Sequence, residues 1–180
     1  MKFTTKQLAQ TGLLLALCIA SQFLKNLSVY ITGPIVNAII IIAVLSVGLF
    51  SGIIISIIAP VTAFLITASP IIAAIPAIMP VIMIGNCILA IFVWLFDSKI
   101  RFKLSLPVGM IIGSVVKSVF MAVIIINVLF SMFGGALNDK QLAMGRTTFS
   151  TVQLITALIG GALAYLIWIP LKKYLKNENK

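Results

Sequence analysis

Long apolar runs alternate with short polar punctuation along this chain, at intervals that match membrane-crossing helices. The runs cover about residues 7–24, 34–50, 53–67, 78–96, 105–130 and 148–171. A helix that crosses a bilayer needs roughly 20 mainly apolar residues. The pattern therefore predicts an all-α, integral membrane six-helix bundle, a single transmembrane domain over 1–180. Lys25-Asn26 closes the first run, and Gly33-Pro34 opens the second, with Pro34 suited to a first helical turn. The stretch from Gly48 to Gly52 reads as a tight reversal, and Pro60 falls inside the third run. Between 67 and 80 the prolines Pro70, Pro76 and Pro80 each remove a backbone donor, so regular helix is expected to break there. Irregular backbone at membrane depth needs cover from protein or a cavity. A charged connector at 97–103 and a polar, glycine-containing loop at 131–147 separate the remaining runs.

Composition narrows the class further. Of 180 residues 62% are hydrophobic and 9% charged, and the mean hydropathy is +1.25. A soluble fold of this size leaves too much surface wet to hide so much apolar area. The net charge of +10 does not point to nucleic acid, because the Lys and Arg residues cluster beside apolar runs, where they face anionic headgroups. With the amino terminus inside, the inner side collects Lys2, Lys6, Lys99, Arg101, Lys103, Lys172, Lys173, Lys176 and Lys180, against Lys25, Lys140 and Arg146 outside. That asymmetry predicts a multi-pass protein of the cell membrane with both termini cytoplasmic. Trp94 and Trp168 fall at inner helix ends, where amphipathic rings anchor. The start imitates a secretory signal, but Leu17 before Cys18 disfavours a lipoprotein-type cleavage, and five further spans favour an uncleaved first helix. Cys18 and Cys87 lack CxxC spacing and read as small buried hydrophobes.

The informative side chains are those that lipid should exclude: Gln22, Lys25, Asn26, Asn37, Asn86, Lys117, Asn127, Arg146 and Gln153. Placed along their helices at 1.5 Å per residue, nearly all fall in the outer half of the bundle, above an almost entirely apolar inner half. Lys117 is a dozen residues into its span, about 18 Å from the inner end. A lysine at that depth costs about 2.5–3.5 kcal/mol on insertion scales. Gly109 and Gly113 precede it at four-residue steps, a small-residue stripe suited to face protein. The alternative is a lysine snorkelling to the outer headgroups. Each asparagine serves equally as helix–helix glue, and Arg146 equally as a headgroup charge. Gly12, Ala16 and Ala20 form a second small-residue ridge, for packing within the bundle or against a partner.

Several chemistries lack their residues. The chain has no histidine, and its only acids, Asp97, Asp139 and Glu178, fall in loops or the tail. Membrane hydrolases and metal-dependent enzymes need paired carboxylates or histidines, so no enzyme, metal site or cofactor is expected. Residues 113–118 lack the spacing of a phosphate loop. Proton coupling through buried carboxylates also lacks its groups.

A small, basic, six-span bundle with an outward polar pocket and no energy source of its own resembles the substrate-binding S components of energy-coupling factor (ECF) transporters. The stretch from Ala16 to Ala20 looks like the AxxxA motif that, in that family, meets the coupling membrane subunit. The resemblance implies a subunit that captures a vitamin-like small molecule from outside and docks on a transmembrane coupling subunit bearing two ATPases. On that model Asn86, Lys117, Asn127 and Gln153 line the pocket, with Asn37 and Arg146 as further substrate contacts. Residues 67–80 and 131–147 act as lids, and Gly12, Ala16 and Ala20 face the coupling subunit. Lys117 and Arg146, opposed on that side only by Asp139, favour an anionic or neutral ligand over a cation. Two competing readings are a stand-alone solute facilitator, which needs a pore through the inner half, and a membrane scaffold, in which the polar residues only join helices.

Overall fold

The computed structural model describes residues 4–26, 28–100, 102 and 104–178. Six helices of 18 residues or more carry the fold: α1 (Thr5–Gln22), α2 (Val29–Ser46), α3 (Leu49–Thr67), α5 (Ile78–Ser98), α6 (Ser105–Ala122) and α9 (Gln153–Glu178). Three short helices, α4 (Pro70–Ala74), α7 (Phe130–Phe133) and α8 (Asp139–Thr147), cluster at one end. Among the described residues no strand occurs. The fold is an all-α membrane bundle, that of a multi-pass membrane protein. Val29–Ser46, Leu49–Thr67, Ile78–Ser98, Ser105–Ala136 and Asp139–Tyr174 are long and apolar enough to cross a bilayer. The first helix is as long as α2 but more polar, because Lys6, Gln7, Gln10 and Gln22 dilute its leucine run.

Close contacts fix the relative directions. Thr11 and Ser51 hydroxyls sit 2.9 Å apart, and Gln22 reaches the Ala59 carbonyl, so α1 and α3 run parallel. Gly109 meets Phe96, Gly113 meets Phe92, and Gly85 meets Met121, which sets α5 and α6 antiparallel. Gly33 lies against Thr156 and Gly160 against Asn37, so α2 and α9 run parallel. The long helices therefore alternate, and the chain starts and finishes at the same end, here called the base. The turn at 47–48 needs Gly48, whose φ of 130° suits no L side chain.

Helix α2 is the centre of the bundle, packed by α1, α3, α5 and α9. Its residues from Ala38 to Val44 are buried on every side, as expected of a helix that is hydrophobic all round. With Cys18, Ile55, Ala59, Leu89, Val93, Met110 and Ala164 they form a dry core in the basal half. A second cluster at the upper end joins Ile71, Ile72 and Ile75 to Ile125, Phe130, Leu137 and Phe149. Large aliphatic residues such as Ile111, Val115, Val119, Leu166 and Ile167 face outward, a surface that lipid satisfies and water does not.

Several sequence expectations are corrected. The second helix begins at Val29, capped by the Ser28 hydroxyl accepting from the Tyr30 N–H, so Pro34 lies inside it. Only the Tyr30 carbonyl, in the first turn, forfeits its partner to that proline. Residues 131–147 are not a loop. The α6 rod continues through a π-helical stretch, Val123–Leu129, into α7, and α8 then rises from an Asn138–Gln141 capping box. A second π-helical stretch, Thr148–Val152, joins α8 to α9. Trp168 is packed within the base, 7% exposed, rather than presented to headgroups. The side chains of Lys2, Lys25, Asn26, Arg101, Lys103, Lys176 and Lys180, used in the sequence argument, lie outside the described residues.

Candidate substrate-binding site

A cavity of about 350 Å³ opens in the upper half, between the dry core below and the second cluster above. It falls at the small end of ligand pockets, about 300–1,000 Å³. Helical periodicity places its walls. From α2 come Val29, Thr32, Gly33, Val36 and Asn37, steps of three and four that keep one face inward. The upper end of α9 and the π stretch before it supply Thr148, Phe149, Val152, Gln153 and Thr156 in the same rhythm. Asn86 comes from α5, Lys117 and Met121 from α6, and Gln22 from the last turn of α1. Ser69 and Ile71, at the α4 end of the proline-rich segment, and Met144 of α8 contribute from above.

Lys117 is the centre of the arrangement. It is 1% exposed, and its Nζ donates to Asn37 Oδ1. An ammonium has three donors, and no further bond from Nζ is seen among the described residues. Among the described residues no carboxylate lines the cavity. A charge taken out of water without an ionic partner is costly, so this wall calls for an anionic partner that no described residue of the lining provides. Gly85 faces this wall: a methyl group on its Cα would press on Met121 at 2.9 Å and sit in ordinary contact with the lysine stem, 3.6 Å from Lys117 Cγ.

Asn86 is placed by the proline in α3, and Gln22 by the carbonyl just before it. Pro60 has no N–H to offer the Ser56 carbonyl, four residues earlier. Asn86 Nδ2 donates to that carbonyl at 3.4 Å, which fixes the asparagine at the cavity floor. Gln22 Nε2 donates to the Ala59 carbonyl at 3.0 Å, while its Oε1 is buried with no partner among the described residues. Two of the Lys117 donors thus remain without a partner among the described residues. Replacing Asn86 with leucine is expected to orphan the Ser56 carbonyl and cost about 1–3 kcal/mol. A thermal-unfolding series in detergent that includes Asn86→Asp and Asn86→Leu checks this, and an unchanged midpoint for leucine contradicts it.

The structure brings together four of the six substrate-contact candidates, namely Asn37, Asn86, Lys117 and Gln153. It does not bring in the other two. Asn127 is exposed within the π-helical stretch, outside the cavity. Arg146 is exposed in the last turn of α8, where a cation complements the helix dipole. Sequence reasoning passed over Gln22 as a contact although it counted among the polar residues, and it overlooked Thr32, Ser69, Thr148 and Thr156. Only Thr156, three residues after Gln153, carried a same-face signal; Thr32 and Thr148 lie five residues before Asn37 and Gln153, and Ser69 lies in the proline-rich segment. Beneath Asn37 and Lys117 the basal half is packed, with Ile40, Ile41, Leu89 and Val93 fully buried. The ridge of Gly12, Ala16 and Ala20 is exposed on the outer face of α1, and nothing stands within 4 Å of a methyl placed on Gly12. Comparison of the chain with family models, curated proteins and solved structures gives no match.

Proposed function

We propose that this protein is the substrate-capture subunit of an ECF-type importer, taking a vitamin-like small molecule with a carboxylate or similar anionic group. In this reading the cavity end faces outside and both termini are cytoplasmic. The chain itself carries no machinery to use ATP, so the power comes from a transmembrane coupling subunit with two ATPases. The observation that carries the reading is a buried lysine, without an acidic partner, on the wall of a one-ended cavity. A through-going facilitator needs a path past Ile40, Ile41, Leu89 and Val93, which close the base.

The ligand's anion satisfies the remaining Lys117 donors, and Asn37 holds the ammonium in place. Asn86, Gln153 and the threonines supply neutral hydrogen bonds, and Phe149, Ile71 and Met121 cover the ligand's apolar part. Closure is assigned to α4 and the α7–α8 hairpin, which contribute Ile71, Phe130 and Leu142 to the cluster above the cavity. The exposed ridge at Gly12, Ala16 and Ala20 is the docking face for the coupling subunit. Replacing Ala16 with arginine is therefore expected to leave ligand affinity within twofold and reduce cellular uptake at least tenfold. The direct test is purification from native membranes followed by mass spectrometry of bound small molecules and protein partners. A carboxylate-bearing ligand together with ATPase subunits is the expected finding. An apo protein without ATPases, active alone in proteoliposomes, overturns the reading.

A further inference from the structure

The charge count of the upper cavity restricts its ligand more than its shape does. Among the described residues its lining holds one cation, Lys117, and no anion. Asp139 and Arg146, the first-turn and last-turn charges of α8, are exposed and outside the lining. Lys117 Nζ uses one donor on Asn37 Oδ1 and keeps two. Two donors on one ammonium suit the two oxygens of a single carboxylate. A second negative charge on the ligand meets no cation in this wall, and a positive charge meets no anion. An unpaired charge taken out of water is costly, so the wall selects against both.

Size and the far end of the cavity narrow the ligand further. At about 30 Å³ for a water-sized group, a cavity of about 350 Å³ takes about a dozen non-hydrogen atoms. The lysine end lies deep. Its partner Asn37 stands against Gly160 of α9, where a methyl would come within 2.6 Å of the asparagine Cβ. Gln153 lines the same cavity from the start of α9, seven residues above Gly160. At 1.5 Å per residue the two levels are about 10 Å apart. Gln153 is half-buried, and its backbone carbonyl accepts from Thr156, whereas its side-chain amide makes no hydrogen bond among the described residues. An amide donates and accepts but pairs no charge. Val36, Met121 and Phe149 add apolar wall for the body that joins the two ends. We propose that the ligand is a small monocarboxylate, with its anion at Lys117 and a neutral hydrogen-bonding group at Gln153, about 10 Å away. Dianions, phosphate esters and amino acids are excluded, because each brings a charge that the lining leaves unpaired. This assignment rests on the capture reading above and names its substrate class.

The test is isothermal titration of the full-length protein in neutral detergent at neutral pH, dialysed free of co-purified small molecules. The probes are 8-hydroxyoctanoate, octanoate, octanedioate and 8-aminooctanoate, which share a carboxylate and differ at the far end. An extended chain advances about 1.2 Å per bond, so these probes bridge the two levels. Wild type is expected to bind 8-hydroxyoctanoate about fivefold more tightly than octanoate, and at least tenfold more tightly than octanedioate or 8-aminooctanoate. Gln153→Leu erases the difference between 8-hydroxyoctanoate and octanoate. Gln153→Lys reverses the order and favours octanedioate at least tenfold, a gain that a misfolded protein does not show. Octanedioate or 8-aminooctanoate bound by wild type as tightly as 8-hydroxyoctanoate overturns the monoanion assignment and leaves the capture reading standing. Equal affinity of wild type for 8-hydroxyoctanoate and octanoate overturns the role of Gln153. No binding of any probe overturns the whole assignment, and the capture reading is then decided by the co-purified molecules and subunits.

Discussion

Lys117→Met is expected to abolish ligand binding, with affinity falling at least a hundredfold, while the ligand-free protein becomes no less stable. Methionine keeps the length of the stem that runs past Gly85 and removes the ammonium. The loss on the ligand side follows from charge-assisted hydrogen bonds, worth about 1.5–3 kcal/mol each. Two such bonds from Nζ amount to a factor of a hundred or more. The gain on the stability side follows because a buried charge without an ionic partner is removed. Asn37 Oδ1 loses its donor, which offsets part of that gain but leaves the amide facing a cavity that admits water. Isothermal titration and thermal unfolding in the same detergent separate the two effects. A parallel fall in affinity and stability would mean that Lys117 holds helices together rather than a ligand.

A second large effect is expected at Gly160. A methyl group there would stand 2.6 Å from Asn37 Cβ, 2.7 Å from the Pro34 carbonyl and 3.2 Å from the Ala38 nitrogen. Two of these are backbone atoms of the most buried helix, so neither can rotate away. Overpacking of this kind costs about 1–3 kcal/mol, and Gly160→Ala should sit within that range. Gly160→Leu must part α2 from α9 and displace Asn37, so unfolding on extraction, or a folded protein with no ligand binding, is the expected result. Gly12→Leu is the control, because its methyl meets nothing within 4 Å. Detergent-extracted yield and thermal midpoints read both. Equal behaviour of Gly160→Leu and Gly12→Leu would contradict the close α2–α9 packing.

Much of the architecture is legible in the sequence because the bilayer leaves few choices. Spanning length and backbone satisfaction force apolar runs of the right size into helices, and the long helices appear near their expected places. Depth is legible as well, since 1.5 Å per residue turns sequence position into height. Asn37, Asn86, Lys117 and Gln153 meet as that arithmetic suggests. Azimuth is harder. In a regular helix Asn127, ten residues beyond Lys117, is rotated by about 280°. The π stretch at Val123–Leu129 winds less per residue and carries it farther from the cavity face. No local pattern among Ile124, Ile125 and Ile126 announces such a stretch.

The upper hairpin shows a different failure. Gly134 and Gly135 made 131–147 read as loop, while the Asn138–Gln141 capping box announced a helix start in plain view. Gly145 is what seats that helix, since a methyl there would strike the Phe130 ring. Gln22 was visible as a polar residue at a helix end, but its unused acceptor depends on Ala59, 37 residues away in sequence. Contacts of that separation are set by packing, which a single sequence does not reveal.

The most direct measurement is denaturing extraction of small molecules from purified wild-type protein and from Lys117→Met, compared by mass spectrometry. The account predicts a stoichiometric anionic compound released by wild type and missing from the variant. The same compound in equal amount from both, or a cationic one, would contradict it.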